Sequence, residues 1–260
     1  MLSLFNVNKL KLRLDNEKNT TTKENAMKNI ASITTLTLVA AASMADAAPA
    51  AAPASAWSQS ANLAFTSDYI WRGLSQTASH MAVQGGFDAA HTSGLSAGIW
   101  ASNVNQNAPD GNNIEVDLYA NYGFKVAGID ASVGYIAYVY QANSSANFQE
   151  INVAATIAGI TGKVSKEISN SNSAGGFTDH GYYYELNYSY NVTAVKDLVL
   201  GLHYGWADQV SQEGREDYSV ALSYPVAGFV ATVSYSNTPG SYVGNTFADS
   251  TTALTLKKTF

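Results

Sequence analysis

The chain contains no cysteine, and only 13% of its 260 residues are charged. The absence of cysteine excludes a disulfide framework and agrees with an envelope protein that avoids oxidative mispairing. The mean hydropathy is −0.07. From residue 57 onward the chain also has no run of eighteen consecutive apolar residues. These two observations exclude a bundle of transmembrane helices.

The residues that are present alternate in polarity, most clearly between Gly181 and Trp206. The first half of this stretch places on one face Tyr182, Tyr184, Leu186, Tyr188, Tyr190 and Val192. Its opposite face carries Tyr183, Glu185, Asn187, Ser189 and Asn191. After a turn at 193–197, Leu198, Leu200, Leu202, Tyr204 and Trp206 share a face opposite Gly201, His203 and Gly205. A period of two predicts two β-strands, because successive side chains of a strand point to opposite sides.

The length of these strands indicates what surrounds them. A strand of about twelve residues reaches roughly 40 Å, and at a tilt of about 45° it spans roughly 28 Å, close to the thickness of the hydrocarbon core of a bilayer. Aromatic residues also mark matching ends of the two strands, Tyr182 and Tyr184 on one and Tyr204 and Trp206 on the other. Such residues suit a membrane–water interface. The stretch is therefore predicted to be a transmembrane β-hairpin rather than part of a soluble sandwich.

The same unit repeats along the chain. Predicted strands lie at about 60–71, 80–90, 95–104, 114–124, 129–141, 148–157, 160–169, 182–192, 198–206, 218–224, 229–235 and 250–260. The first of them would place Leu63, Phe65, Tyr69 and Trp71 on one face. Short connections follow the even-numbered strands and mostly longer ones follow the odd-numbered strands. This pattern predicts an all-β fold, a transmembrane antiparallel up-and-down β-barrel of about 12 strands in the bacterial outer membrane, with ten or fourteen strands left open.

The first 58 residues have a different composition. Residues 1–26 are polar and without periodicity, and we interpret them as an upstream over-called start that is disordered. Residues 27–47 have the pattern of a signal peptide, with Lys28, an apolar core at 30–42 and the small residues Ala45 and Ala47 before the cleavage site. A Pro- and Ala-rich linker is predicted at 48–58, with cleavage after Ala56 as an alternative. The barrel is then expected to occupy residues 59–260.

Four motifs resemble a known family. They are Ser67-Asp-Tyr-Ile-Trp-Arg-Gly-Leu-Ser-Gln76, Gln84-Gly-Gly-Phe-Asp88, Gly94-Leu-Ser-Ala-Gly-Ile-Trp-Ala-Ser-Asn103 and Glu115-Val-Asp-Leu-Tyr119. Together they look like the TorF family of proteobacterial outer-membrane porins, most densely over residues 60–125. The resemblance implies an outer-membrane barrel and a pore, and it brings no established substrate and no catalytic residues.

If the aromatic-rich faces point to lipid, the other faces line the interior. The predicted pore-lining residues are Asp68, Arg72, Gln84, Asp88, Glu115, Asp117, Asn121, Lys163, Glu167, Glu185, Asn187 and His203. Charged residues inside a membrane span indicate a wet or tightly bonded interior, and their acidic excess predicts a preference for cations. A mainly structural lumen, in which Arg72 pairs with Asp68 or Asp88, is the competing interpretation.

No catalytic centre, cofactor or metal site is predicted. The histidines are His80, His91, His180 and His203, and no serine motif lies near one of them at a recognisable spacing. Asp179-His180 is the best lone candidate, and Glu115 with Asp117 is only a weak cation signal. An outer-membrane hydrolase therefore ranks behind a narrow passive channel for small polar or cationic solutes and behind a non-conducting structural or surface-contact barrel.

The remaining predictions concern partners. From Trp57 onward the chain carries eight basic and 16 acidic side chains, a formal charge of −8. That charge argues against binding nucleic acid. The terminal Phe260, with Leu254 and Leu256 before it, resembles the signal by which barrels are recognised by the assembly machinery, although Lys258 departs from that pattern. The expected partners are outer-membrane lipid, that machinery and small polar solutes, and the oligomeric state stays open.

Overall fold

The structure is a computed structural model that describes residues 55–105, 113–170, 181–208, 215–239 and 250–260. In chain order its strands are β1 (Trp57–Thr66), β2 (Ile70–Trp71), β3 (Leu74–Ser75), β4 (Ala82–His91), β5 (Leu95–Val104), β6 (Asn113–Val126), β7 (Ile129–Tyr140), β8 (Phe148–Ile157), β9 (Ile160–Asn170), β10 (Tyr182–Asn191), β11 (Val199–Asp208), β12 (Arg215–Val226), β13 (Phe229–Asn237) and β14 (Thr251–Thr259). Within these ranges the helical content is one 3₁₀ turn, Ser144–Ala146.

Twelve strands close into an antiparallel barrel, and β2 with β3 forms a separate two-stranded hairpin. Closure occurs between β1 and β14, where Phe65 lies opposite Leu256. Beyond this ladder, the amide of Phe260 donates to the carbonyl of Ala61 at 2.9 Å. The predicted all-β barrel and its strand count are thus confirmed. Each of the twelve barrel strands is therefore paired on both sides, which is the requirement for a sheet in lipid.

The connections alternate in length around the barrel. At one end of the barrel lie the start of β1, the end of β14 and the connections 92–94, 127–128, 158–159, 192–198 and 227–228. Three of these are Ala-Gly pairs in which both residues have positive φ, such as Ala127 (φ 50) and Gly128 (φ 83). Two consecutive left-handed residues form the turn whose twist matches that of the flanking strands. We call this the short-turn end and the opposite one the long-loop end.

Two predicted boundaries are wrong. The first predicted strand, 60–71, ends as a barrel strand at Thr66, and the chain then turns inward, so Tyr69 and Trp71 are not on the outer face with Leu63 and Phe65. At its other end β1 begins at Trp57, inside the predicted linker. Outside the described residues lie residues 1–47, residues 48–54 of that linker, and the loops 106–112 and 171–180, which include Asp179 and His180.

The two sides of the sheet differ in polarity. Large apolar side chains on the outer positions are exposed, among them Leu118, Leu186 and Val220 at 47%, 54% and 43%. Most of the exposed aromatic side chains form two belts, and Phe87 and Tyr135 lie between them. The long-loop belt contains Tyr182, Tyr184, Tyr204, Trp206, Tyr218 and Tyr235, and the short-turn belt contains Trp57, Tyr122, Phe124, Tyr190, Tyr224 and Phe260. The buried charged and amide side chains of the barrel strands lie on the inner positions.

Candidate functional site: the barrel interior and its inserted segment

Ten of the predicted pore-lining residues lie on inward-facing strand positions. They are Gln84, Asp88, Glu115, Asp117, Asn121, Lys163, Glu167, Glu185, Asn187 and His203. The other two, Asp68 and Arg72, are not on the wall, because they belong to the chain between β1 and β4. Whether any of the twelve lines a conducting path stays a prediction.

Residues 67–81, which we call the inserted segment, fold into the barrel at the long-loop end. The carboxylate of Asp68 organises the segment, since its Oδ1 accepts hydrogen bonds from Ser75 Oγ at 2.6 Å and from Thr77 Oγ1 at 2.7 Å. The backbone closes on itself through Gln76 N, which donates to the carbonyl of Tyr69 at 2.6 Å. Tyr69 and Thr77 are 2% and 0% exposed. The segment is therefore a packed element and not a surface loop.

The tip of the hairpin reaches the far wall. Arg72 and Gly73 both have positive φ, 47° and 76°, and turn the chain between β2 and β3. The hydroxyl of Thr238, just beyond β13, donates to the carbonyl of Gly73 at 3.0 Å. A Cβ at position 73 would come within 2.1 Å of Thr238 Oγ1 and 2.5 Å of the Cβ of Asp217. Only glycine fits there, so the segment crosses from β1 and β4 to β12.

Arg72 fastens this tip to the wall. Its Nη1 and Nη2 donate to the two carboxylate oxygens of Glu150 on β8, at 2.7 Å and 2.8 Å. Its guanidinium carbon lies 4.3 Å from the ring centroid of Trp71 and 4.1 Å from that of Tyr183. The guanidinium is thus held by a bidentate carboxylate and two aromatic rings.

The predicted pairing of Arg72 with Asp68 or Asp88 is wrong. Asp68 is already bound by the hydroxyls of its own segment, and Asp88 accepts a hydrogen bond from Tyr119 Oη at 2.5 Å. The hairpin carries Arg72 away from both carboxylates, toward β8. Glu150 was not among the predicted residues, although the same alternation of polarity places it on the inner face. The inward turn at residue 67 decides which carboxylate pairs with Arg72. The alternation of the strands does not predict that turn.

A cluster of aromatic and aliphatic side chains fills the interior on the β4–β7 side. Its buried members are Tyr69, Ala82, Trp100, Val104, Ile136, Tyr138 and Tyr140. Tyr69 packs edge-on against Trp100 with ring centroids 5.3 Å apart, and its hydroxyl donates to Glu115 Oε1 at 3.0 Å. Trp100 is therefore an interior packing residue.

Asp117 lies next to this cluster on the inner face of β6. Its side chain is fully buried, and among the described residues neither of its carboxylate oxygens has a hydrogen-bond partner. The charges of Glu115 and Glu150 act on it. Three carboxylates therefore lie near one another beneath the inserted segment, and that of Glu150 is paired with Arg72. Among the described residues, no group of three or more His, Cys, Asp or Glu is placed to hold a metal ion.

A polar network covers the opposite wall, on β9 to β12. Lys163 forms a buried ion pair with Glu185, and Asn187 Nδ2 donates to Glu185 Oε2 at 3.0 Å. The imidazole of His203 contacts Asn187 Oδ1 at 2.8 Å through Nδ1 and Asp217 Oδ1 at 2.9 Å through Nε2. Tyr183 Oη donates to Asp217 Oδ2 at 3.0 Å. Because Tyr183 also stacks on Arg72, this network extends to the inserted segment.

The interior changes character toward the short-turn end. There most inner positions carry small or uncharged polar residues. Some are half-buried, namely Ser96, Gly98, Asn121, Gly134, Asn152, Thr156, Thr161, Ser219, Ser234 and Thr255. Ser132, Ser223 and Thr232 are buried, and Asp88 and Lys257 are the charged exceptions. Small side chains leave more of the barrel cross-section free than the tyrosines, tryptophans and arginine of the long-loop end. The interior is therefore narrowest at the inserted segment.

Acidic side chains outnumber basic ones in the interior. The acidic set is Asp68, Asp88, Glu115, Asp117, Glu150, Glu167, Glu185 and Asp217, and the basic set is Arg72, Lys163, Arg215 and Lys257. The exposed Lys125–Asp130 pair at the rim belongs to neither set. Glu150 and Asp217 add to the predicted acidic residues. Lys257, from the C-terminal strand, adds a cation on which the charge of Asp88 acts.

The histidines give limited support to hydrolysis. His203 is surrounded by Asn187, Tyr183 and Asp217, and no serine appears among its described hydrogen bonds. His91 Nδ1 does lie 2.8 Å from Ser93 Oγ, but both sit in an exposed turn and the ring packs against Trp57. Among the described residues, no carboxylate orients this imidazole, so the contact is a local feature of the turn.

Comparison with known proteins bears on fold and family. No curated protein matches the chain. The barrel is similar to the structure of the KdgM porin, with 11% identity, a TM-score of 0.51 and coverage of 77% of this chain and 98% of that one. It is also similar to the KdgM porin in complex with disordered oligogalacturonate, with 12% identity, a TM-score of 0.50 and the same coverage. At these identities the similarity concerns the fold.

A family model described as "Bacterial protein of unknown function (Gcw_chp)" matches residues 50–260. The name TorF is not confirmed, and the chain belongs to the bacterial Gcw_chp family.

Proposed function

We propose that this protein is a narrow, passive, porin-like channel of the bacterial outer membrane that prefers small polar or cationic solutes. The observation that carries the proposal is the polarity of the closed sheet, which has exposed apolar residues outside and buried charged residues inside. A soluble barrel has the opposite arrangement. In a membrane, apolar residues face lipid, and ionisable ones line an aqueous or tightly bonded interior.

The two aromatic belts support placement in a bilayer. They lie near opposite ends of the strands, and interfacial tyrosine and tryptophan mark the two surfaces of a membrane. Strands of about ten residues, tilted by about 45°, match the length needed to cross. Lys258 lies on the outer face of β14, with its Nζ 5.6 Å from the ring of Phe229 and 5.2 Å from that of Phe260. A lysine there extends toward the interface while its stem covers apolar surface.

Loop length supports an orientation. In bacterial outer-membrane barrels the short turns face the periplasm and the longer loops face outward. The inserted segment then lies near the outer surface, and the polar half of the interior opens toward the periplasm. Under this orientation Phe260 ends the last strand at the periplasmic side, where we expect the assembly machinery to recognise it.

The charge of the interior supports the solute class. Rings of acidic side chains favour cations, and among the described residues the interior holds eight acidic and four basic side chains. The KdgM structure was solved with oligogalacturonate, which is a polyanion. An acidic interior repels a polyanion, so we expect this chain to carry a different class of solute.

Single-channel recording under a salt gradient tests the proposal. The mature chain, recovered from membranes and reconstituted in a planar bilayer, should give discrete steps with a cation-selective reversal potential. An anion-selective potential would refute the assigned solute class. Heat-modifiable migration on a gel should accompany the recording to show that the barrel is folded.

A non-conducting structural barrel is the second candidate, and a specific observation favours it. Tyr69, Thr77 and Asp117 are almost completely inaccessible, which is typical of a packed interior. A folded barrel that gives no current in the recording above would establish this function and replace the first.

A further inference from the structure

We propose that the wall site occupied by the guanidinium of Arg72 is a receptor for guanidinium-bearing solutes, in which Arg72 acts as an internal ligand. The proposal rests on the proposed function, because it needs solutes to reach the interior through water. It deepens that function by naming the solute class and the residues that would recognise it. The receptor consists of Glu150 on β8 and Tyr183 on β10, and Trp71 of the inserted segment closes it.

The receptor matches the geometry of a guanidinium rather than that of a simple cation. Both carboxylate oxygens of Glu150 accept hydrogen bonds, from Nη1 at 2.7 Å and from Nη2 at 2.8 Å. The two rings lie 4.1 Å and 4.3 Å from the guanidinium carbon. A planar cation with a fork of N–H donors satisfies a bidentate carboxylate and stacks on aromatic faces, whereas an ammonium is a compact point charge that does neither as well.

The wall components are held in place independently of Arg72. Tyr138 Oη lies 3.5 Å from Glu150 Oε2, and Tyr138 stacks on Phe148 with ring centroids 4.2 Å apart. Tyr183 is fixed by its hydrogen bond to Asp217 Oδ2 at 3.0 Å. A carboxylate and a ring that are positioned by other wall residues remain in place when the arginine leaves, so the site is preorganised for another guanidinium.

The backbone at Arg72 indicates that the side chain has a specific task. Arg72 has φ 47° at the first position of a two-residue hairpin turn. Asn, Asp and Gly are the residues that suit this left-handed position, and a long side chain there is disfavoured. The hairpin therefore has Arg72 at its tip despite the unfavourable backbone conformation, and the side chain of Arg72 points into the receptor. Since strained residues concentrate at ligand clamps and switch regions, the strain agrees with an internal ligand that an external one can replace.

Competition between the internal and external cation sets the expected affinities. Arg72 is tethered beside its site, so its effective concentration is on the order of millimolar or higher, and an external guanidinium must displace it. Removal of the side chain removes this competition. Half-saturation by free guanidinium is therefore expected at a concentration at least about tenfold lower in Arg72→Ala than in the wild type.

The test is a titration of the full barrel in detergent with guanidinium chloride at millimolar concentrations, followed by tryptophan fluorescence. In Arg72→Ala, guanidinium should fill the space between Trp71 and Tyr183 and change the emission with a saturable curve. Sodium chloride at equal ionic strength should have no such effect, and methylammonium chloride should have a weaker one. The variant Arg72→Ala/Glu150→Gln keeps both rings and loses the carboxylate, so its saturable response should disappear.

Two further variants keep the result interpretable. Lys125→Ala removes the cation of an exposed ion pair far from the receptor and should titrate like the wild type. Arg72→Lys keeps a positive charge at the tip in case Arg72→Ala does not fold, and guanidinium should displace its ammonium more readily than it displaces Arg72. The proposal is overturned if neither Arg72 variant gives a saturable response, or if Glu150→Gln leaves that response intact.

The titration separates this proposal from the proposed function. Fluorescence needs no current, so saturable binding by a barrel that is silent in bilayers would keep the guanidinium site and overturn its role in a channel. A barrel that conducts but shows no saturable binding would keep the channel and exclude the receptor.

Discussion

At the scale of the residue, two glycines with nearly the same backbone conformation have different roles. Gly73 at the hairpin tip has φ 76° and Gly128 in a short turn has φ 83°. A Cβ at 73 would collide with Thr238 and Asp217, whereas a Cβ at 128 would meet nothing within 4 Å. Both positions favour glycine for its freedom at positive φ, but only position 73 also needs the missing side chain.

The comparison of Gly73→Ala with Gly128→Ala isolates this packing. Both substitutions bring the cost of a left-handed alanine, about 1–2 kcal/mol. Gly73→Ala should add about 1–3 kcal/mol from overpacking and displace the inserted segment. Hydrogen exchange measured by mass spectrometry should show faster exchange across 67–81 in Gly73→Ala and unchanged exchange there in Gly128→Ala. Equal exchange of the segment in both variants would show that its tip does not depend on this contact.

The ion pairs of the barrel also differ in how far their side chains are exposed to solvent. The Lys163 and Glu185 side chains are each 7% exposed, whereas those of Lys125 and Asp130 are 61% and 43% exposed. Lys163→Ala leaves a buried carboxylate without its cation and should lower the free energy of unfolding by about 3 kcal/mol or more. Lys125→Ala should change it by less than about 1 kcal/mol.

Urea titration of the folded barrels measures both values, and a double variant provides the control. Lys163→Met/Glu185→Gln removes the charge together with its partner and should recover much of the stability lost in Lys163→Ala. If the two single substitutions cost the same, the Lys163–Glu185 pair would be solvated and the interior wider than the packing indicates.

At the scale of the element, period-two alternation was sufficient to identify the strands of the barrel but not the inserted segment. The hairpin of β10 and β11 has long, uninterrupted alternation, and its outward and inward faces agree with the sequence prediction. The segment also alternates, with Tyr69 and Trp71 two residues apart, so its periodicity predicts a continuation of β1. After the strand ends, the hydroxyls of Ser75 and Thr77 donate hydrogen bonds to the carboxylate of Asp68. Strand periodicity does not show such local side-chain hydrogen bonds.

A charged residue on one strand tests whether that element crosses a membrane. Val220 and Val226 both point outward on β12 and are 43% and 49% exposed, but Val220 lies near the middle of the strand and Val226 at its end. In a bilayer, Val220→Arg should cost about 2–4 kcal/mol and Val226→Arg about 0–1 kcal/mol. Folding titrations in lipid vesicles measure both. Equal small costs would mean that the outer face of β12 meets water.

At the scale of the whole molecule, the sequence was enough to predict a closed barrel, its strand number and its alternating loops, because these follow from local periodicity and from the absence of unpaired edges in lipid. The contacts across the interior could not be predicted. Arg72 and Glu150 are distant in sequence and meet only because the segment turns inward, and Tyr183 joins them through barrel closure. Strand patterns assign residues to a face and do not give their partners across the lumen.

The unit conductance of the wild type compared with Arg72→Ala in planar bilayers tests the account most directly. If the barrel is a channel narrowed by the inserted segment, Arg72→Ala should remove the guanidinium from the space beside Glu150 and Tyr183 and give larger steps than the wild type. Lys125→Ala, which removes a cation outside the segment, should leave the steps unchanged. Identical conductance in the wild type and a folded Arg72→Ala, or no current in either, would contradict the account.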